Sequence, residues 1–369
     1  MASMRIAEEE EPIDDLDEAN EVIPYNYSIT AYGADYPVDA LVKRIEANDI
    51  IVPRFNWQPN ENSEIVGFQR EYVWPRKKAD RFIESLLLGL PVPGIFLVKE
   101  LSGRFLVLDG HQRLNSLHAF YQGIIDGVEY RLDSVQQRFQ GKRYKDLGIE
   151  DQRRINDSII HATVIRQDEP TEDQSSIYMI FERLNTGGVN LQPQEIRVAL
   201  YHGELVRVLQ ELNDNASWRT LYGNKSKRLK DLEMILRFFA FFYHERNYRS
   251  PMKDFLNRYM ASNQSLNRQS EKDLKRIFTS TVSLLSQTVG AKTFRPERAI
   301  NAAVIDSVMT GLARRLQSGG IIKPDEIIER HAALLRNEEY RDAVETGTSQ
   351  KAKVETRFRL AMEAFASIK

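Results

Sequence analysis

The stretch that decides the fold reads Phe105-Leu106-Val107-Leu108-Asp109-Gly110-His111-Gln112-Arg113-Leu114. An apolar run ends in an acid and a glycine, and a helical pattern begins at once. A strand, a tight turn and a helix N-terminus place backbone N–H groups and the positive end of the helix dipole side by side. The sequence therefore predicts a phosphate site of a nucleotide or a nucleic acid at this turn.

The side chains of this turn allow two interpretations. In the functional one, Gly110 lets the backbone approach a phosphate, and Arg113 offers a bidentate fork to its oxygens. Asp109 would then hold Mg²⁺ or a nucleophilic water, and His111 could transfer a proton. In the structural one, Asp109 caps the helix with Gln112 as its capping partner. The chain contains neither a Walker A nor a G-x-G-x-x-G motif.

Composition limits the class of protein. The chain has 369 residues, of which 42% are hydrophobic and 28% charged, and it contains no cysteine. Disulfides, cysteine-ligated zinc and Fe–S clusters are therefore excluded, and no apolar run approaches the ~20 residues that span a membrane. These features predict a soluble, cytoplasmic protein with no membrane partner.

The formal net charge of −2 hides an asymmetry along the chain. Residues 1–21 hold nine acidic residues and one arginine, which leaves about +6 for residues 22–369. Such a composition predicts an acidic disordered leader over residues 1–30. A segment of this kind could also mimic nucleic acid and compete for a basic groove.

Hydrophobic periodicity predicts an α+β protein with two folded domains. A mixed α/β domain is expected over residues 31–190, and an all-helical domain over residues 191–369. The predicted strands are Ile50–Val52, Gly94–Lys99, Arg104–Leu108 and Ile159–Ile165. The predicted helices of the second domain span about 193–213, 230–246, 251–261, 268–289, 296–318, 324–337 and 350–368.

Two further segments carry candidate nucleotide-binding residues. Gln69 and Arg70 precede a helix start and could face the same phosphate from a neighbouring loop, although Arg70 could equally be a surface charge. Asn185 and Thr186 stand in a Gly-Gly turn that could contact a nucleotide or simply end a helix.

A basic stretch in the second domain is a candidate nucleic-acid site. Lys225, Lys227, Arg228 and Lys230 follow two aromatic residues, a composition that suits phosphate contacts with base stacking. A solvated loop explains the same composition and is the favoured interpretation.

Taken in order, these motifs resemble the domain-of-unknown-function 262 family, the N-terminal domain type of GmrSD-like modification-dependent restriction systems. The similarity covers roughly residues 35–245. The motifs are Gln69–Trp74, Asp109–Leu114, Phe181–Asn185 with Gly187-Gly188, Leu191 with Glu195, and Lys230–Arg237.

The resemblance implies a ParB/sulfiredoxin-like fold with a helical extension. It also implies that a nucleoside triphosphate is bound and hydrolysed at the turn, with Asp109, Gly110, Gln112 and Arg113 in contact with it. The family usually acts in defence against phage or foreign DNA, so Mg²⁺ and DNA are the expected cofactor and partner.

This chain departs from the family pattern at two points. His111 stands where the family usually has the first glutamine of D-G-Q-Q-R, and no HNH nuclease motif occurs. A cutting centre is therefore expected on a partner subunit. Two alternatives stay open at this stage: a non-hydrolytic DNA- or protein-binding regulator on the same fold, and a direct ParB-like DNA nuclease. The lack of a metal-carboxylate cluster in the sequence argues against the nuclease.

Overall fold

The computed structural model describes residues 13–14, 28–52, 74–100, 102–125, 127–169, 175–184 and 192–368. The chain divides into two compact units. The first, the sheet unit, comprises Tyr25–Leu191 and Val198–Leu200. The second, the helical unit, comprises Met1–Pro24, Gln192–Arg197 and Tyr201–Lys369.

The strands and the helices are each numbered in chain order. The strands are β1 (Ile13–Asp14), β2 (Ser28–Pro37), β3 (Ile50–Ile51), β4 (Ile95–Lys99), β5 (Phe105–Asp109), β6 (Ile124–Ile125), β7 (Val128–Glu129), β8 (Ile159–Glu169) and β9 (Ile300–Asn301). The helices of the sheet unit are α1 (Val38–Glu46), α2 (Arg76–Leu87), α3 (His111–Gln122), α4 (Ile149–Asp157) and α5 (Ser175–Leu184). The remaining helices are α6 (Pro193–Leu200), α7 (Glu204–Asn213), α8 (Ala216–Tyr222), α9 (Lys230–His244), α10 (Met252–Asn263), α11 (Glu271–Thr288), α12 (Ala302–Gln317), α13 (Glu326–Arg336), α14 (Glu338–Glu345) and α15 (Lys351–Ala366).

A mixed five-stranded sheet forms the centre of the sheet unit. Its strand order is β2-β8-β4-β5-β3, with β2 antiparallel to β8, β8 parallel to β4, β4 antiparallel to β5, and β5 parallel to β3. The pairing of Phe96 with Asp109 brings the start of β4 beside the end of β5. The residues just before β4 therefore lie next to the turn that follows β5.

Helices α1, α2 and α3 pack on one face of this sheet. Leu41, Ile83 and Leu117 from these helices share a buried core with Val107 and Val164 of the central strands. Helix α5 contacts β5 as well. The turn between β5 and α3 is thus anchored by a buried strand on one side and a buried helix on the other.

The helical unit is built around α9 and α12, whose residues are almost all buried. Helix α12 packs against α9, α11 and α15. Within the same unit, β1 pairs in parallel with β9. In the described part of the chain, no helix is both long enough and apolar enough to cross a membrane.

The predicted α+β class is confirmed, with a mixed sheet in the N-terminal part and helices in the C-terminal part. The ParB/sulfiredoxin-like assignment and the predicted domain boundaries stay predictions. Strand β2 carries no alternating apolar signal because most of its residues are exposed, and its first three residues fall inside the predicted leader.

The single helix predicted over 193–213 is two helices, α6 and α7. The chain is extended at Gly203, where an added Cβ would lie 2.7 Å from the carbonyl oxygen of Gln264. The backbone N–H of Leu205 donates to that same carbonyl. A close backbone contact therefore interrupts the helix at a residue that has no side chain.

Candidate phosphate-binding site

Gly110 makes the turn between β5 and α3 possible. Its φ of +100° lies in the left-handed region, and a Cβ at this position would lie 2.5 Å from Cγ2 of Ile95. Gly110 is also the N-cap of α3, and no side chain caps that helix end. Asp109 is therefore not the cap, and the structural interpretation of the motif as a capping box is wrong.

Asp109 and Arg113 form an ion pair across the turn. Nη2 of Arg113 donates to Oδ2 of Asp109 at 2.7 Å and to the carbonyl oxygen of Gly94 at 2.8 Å. The side chain of Arg113 is 13% exposed and that of Asp109 is 50% exposed. One nitrogen of the Arg113 guanidinium thus bonds to atoms of the turn and of the neighbouring strand start, while the Asp109 carboxylate is partly exposed to solvent.

Three consecutive residues at the start of α3 each hold a polar atom that is closed off from solvent. These atoms are Nε2 of His111, Oε1 of Gln112 and Nε of Arg113, and none has a hydrogen-bond partner among the described residues. An unpaired buried polar atom costs roughly 1–3 kcal/mol. Their concentration on one helix N-terminus indicates a place where further polar groups belong.

The surroundings of His111 keep its imidazole neutral. Burial lowers the pKa of His111 to about 4, against the opposing influence of Asp109 and of a hydrogen bond with the Val107 backbone. The ring also contacts Phe181 of α5, with the two ring centroids 6.2 Å apart. At neutral pH His111 therefore acts as an uncharged hydrogen-bonding group.

Gly94, Ile95 and Phe181 contribute to this turn but escaped sequence reasoning as site residues. The carbonyl of Gly94 and the side chain of Ile95 approach through the β4–β5 register. Phe181 approaches through the packing of α5 on β5. The sequence signal for Phe181 was its place in the Phe181–Asn185 motif.

The other predicted nucleotide-binding residues, Gln69, Arg70, Asn185 and Thr186, lie outside the described residues. For the metal, the structure places Asp109 at the end of β5. Among the described residues, no group of three or more histidine, aspartate and glutamate side chains could hold a metal ion.

The predicted basic stretch lies in the helical unit, in the segment that leads into α9. Lys225 forms an ion pair with Asp214, and Nη2 of Arg228 donates to Oε2 of Glu195 at 3.0 Å. The aromatic residues beside the stretch, Trp218 and Tyr222, are buried. They cannot stack on bases from this position, which favours the interpretation of the stretch as a loop with local ion pairs.

Lys227 and Lys230 complete the predicted basic set. Lys230 is the first residue of α9, and Lys227 precedes it in the connecting loop. A role of the four residues in nucleic-acid binding stays a prediction.

The sheet unit thus combines a mixed sheet with a turn in which strand β5 is followed by a glycine, an arginine and a helix N-terminus that no side chain caps. In a comparison with known families, residues 50–202 match the family described as GmrSD restriction endonuclease, N-terminal domain. The match supports a GmrSD-type restriction system N-terminal domain over this segment, as its motifs predicted. Comparisons with curated proteins and with solved structures found no match. The family suggests a component of a restriction or defence system.

Proposed function

We propose that this protein binds and hydrolyses a nucleoside triphosphate within a modification-dependent restriction or anti-phage defence system, with the Asp109–Arg113 turn as its phosphate site. The observation that carries the proposal is the set of unpaired polar atoms on His111, Gln112 and Arg113. They lie at the uncapped N-terminus of α3, where the helix dipole favours an anion.

The turn fits a phosphate in shape as well as in charge. Gly110 brings no side chain of its own next to the first N–H groups of α3, and its position cannot accept a Cβ. Arg113 is fixed on two acceptors, so its guanidinium is held in place before a ligand arrives. Preorganised donors of this kind lose little entropy when they bind an oxyanion.

Asp109 is the group that would contact Mg²⁺ or position the attacking water. A single half-exposed carboxylate suits Mg²⁺ that keeps most of its contacts to phosphates and water, rather than a cage made by the protein. When bound, Mg²⁺ neutralises charge on the phosphates. Gln112 would orient the water or a phosphate oxygen, and Gln69 and Arg70 would complete the clamp.

DNA is the second proposed ligand, because the family is one of restriction endonucleases. The cutting centre would lie on a partner subunit. The described residues hold no cluster of acidic and histidine side chains for a metal-dependent nuclease, so the direct nuclease remains the weaker alternative.

A regulator without turnover is the second candidate, and His111 is the observation that favours it. A neutral, buried imidazole occupies the position where the resembling family has a glutamine. Such a substitution could preserve binding while removing the group that orients the attack. The two candidates differ in turnover and not in affinity.

The test is phosphate release from GTP, ATP, CTP and UTP with Mg²⁺, with and without DNA, paired with calorimetric binding. The variants are Arg113→Ala, Asp109→Asn and His111→Gln. Arg104→Ala is the matched control, because Arg104 lies at the opposite end of the β4–β5 hairpin with its Nε on Ser102.

The proposal expects turnover of one nucleotide that falls at least a hundredfold in Arg113→Ala and Asp109→Asn, a loss typical of removed transition-state contacts. Arg104→Ala should match wild type. Binding without turnover, with turnover restored by His111→Gln, would establish the regulator instead. Equal nucleotide affinity in wild type and Arg113→Ala would remove the phosphate site from this turn.

A further inference from the structure

A cavity of about 430 Å³ lies at the C-terminal end of α3, whereas the Asp109–Arg113 turn lies at its N-terminal end. Its walls come from three segments of the sheet unit: the C-terminus of α3, strands β6 and β7, and the short turn around Tyr144. A volume of this size falls within the range of small-molecule sites. None of the motifs in the sequence points to it.

Two tyrosines form a fixed aromatic wall in this cavity. The rings of Tyr121 and Tyr144 are stacked with centroids 4.1 Å apart and planes 21° apart. Both phenol groups donate to Oδ1 of Asn156, at 2.7 and 2.9 Å. Burial raises the pKa of Tyr121, so its phenol keeps the proton that this bond needs. The wall is therefore set before any ligand enters.

The rim opposite the aromatic wall combines an apolar and a charged part. Ile124 is 58% exposed and offers an aliphatic surface to the cavity. Glu129 is paired with both Arg131 and Arg143, and Arg143 also binds Asp146. The charges of that network are internally balanced. Lys145 then adds an exposed cation to the lining.

We propose that this cavity binds a nucleobase, stacked against the Tyr121–Tyr144 wall and Ile124, with its attached phosphate near Lys145. A flat ring that carries a phosphate matches a cavity with aromatic and aliphatic faces and an exposed cation, Lys145. The carboxylate of Glu129 is already paired with Arg131 and Arg143, and the amide nitrogen of Gln122 donates to Glu46. The cation therefore favours a phosphate-bearing base over a purely apolar ligand. The base can come from a free nucleotide or from a nucleic-acid strand.

The experiment measures binding to the full chain by calorimetry, with three kinds of probe. These are the four deoxynucleoside monophosphates, a short single-stranded deoxyoligonucleotide, and the duplex of the same sequence. The variants are Tyr144→Ala, Ile124→Asp and Lys145→Glu. Tyr144→Phe keeps the ring, and Lys77→Glu makes the same charge change at an exposed position of the sheet unit away from the cavity.

Binding of the monophosphates or the single strand should weaken roughly fivefold or more in Tyr144→Ala, Ile124→Asp and Lys145→Glu. Tyr144→Phe and Lys77→Glu should bind as wild type does. A preference for the single strand over the monophosphates assigns the base to a nucleic acid, and the reverse assigns it to a free nucleotide.

Two results would overturn the assignment. One is wild-type affinity in both exposed-site variants, Ile124→Asp and Lys145→Glu, which do not depend on whether Tyr144→Ala folds. The other is a loss of binding in Arg113→Ala alone, because the probe would then be held at the phosphate turn. The cavity and the phosphate site can thus fail independently.

Discussion

Two aspartate–arginine clusters in this molecule use the same ion-pair chemistry in opposite surroundings. In the helical unit, Asp306 accepts hydrogen bonds from Arg237 at 2.8 and 3.0 Å and from Arg357 at 3.1 Å, and all three residues are at most 2% exposed. In the sheet unit, Asp109 accepts from Arg113 and is half exposed.

The difference separates a structural ion cluster from a candidate ligand site. The Asp306 cluster joins α9, α12 and α15 inside the core, so its charges serve the packing of three helices. The Asp109 pair has a half-exposed carboxylate and stands beside three unpaired polar atoms at a helix N-terminus. Arginine and aspartate in contact do not by themselves indicate a function, and neither does one unpaired atom, since Nε of Arg357 in the buried cluster also has no partner among the described residues. The half-exposed carboxylate and three unpaired atoms on consecutive residues distinguish the Asp109 pair.

The largest effect is expected at the helical cluster. Asp306→Ala leaves two buried guanidinium groups without their shared carboxylate, which should lower the free energy of unfolding by about 3–5 kcal/mol. Urea unfolding followed by circular dichroism measures it. Asp325→Ala is the control, because Asp325 is exposed and caps α13 with no side-chain hydrogen bond. A loss below about 1 kcal/mol in Asp306→Ala would show that the cluster is dispensable.

The next prediction compares the loss of stability caused by alanine at two glycines of the sheet unit that both have a positive φ. Gly103→Ala should cost only the left-handed strain of about 1–2 kcal/mol, because a Cβ there meets open space. Gly110→Ala adds the collision with Ile95, and overpacking of this kind typically costs a further ~1–3 kcal/mol. Thermal unfolding of the two variants gives the difference. Equal losses would mean that the turn can shift away from Ile95.

The turn between β5 and α3 could be predicted from the sequence because every signal for it is local. The apolar strand, the glycine and the helical pattern occupy ten consecutive residues. The bond from Arg113 to the carbonyl of Gly94 could not be predicted, since it joins positions 19 residues apart through the pairing of two strands. The strand, the glycine turn and the helix start were therefore located in the chain, whereas the contacts that hold the turn were not foreseen, and its role as a phosphate site stays a prediction.

Strand β2 shows a second limit of sequence reasoning. It pairs with β8 across more than a hundred residues, and most of its side chains are exposed. A strand without a buried face leaves no alternating hydrophobic pattern to read. The same limit applies to the cavity beside Tyr121 and Tyr144, which exists only once three separate segments are brought together.

The last of the expected effects is a pH dependence of the free energy of unfolding that comes from His111. Its folded pKa of about 4 lies below the usual 6.5, so between these values the unfolded chain binds more protons than the folded one. The stabilisation is fully present above pH 6.5 and is lost as the pH falls toward 4. Between pH 7.5 and 4.5, wild type should lose about 2 kcal/mol more than His111→Gln, because glutamine does not titrate. Urea unfolding at the two pH values measures the difference.

An NMR titration of the His111 imidazole, assigned by its loss in His111→Gln, provides the independent check on that pH dependence. An imidazole that titrates near 6.5 would contradict the prediction and would show that the fold does not disfavour the charged form of His111. If inorganic phosphate binds beside His111, the titration should shift toward higher pH, because a bound anion favours the imidazolium. The histidine of the turn would then take up a proton together with the anion, whereas the two arginines of the helical core are already paired with Asp306.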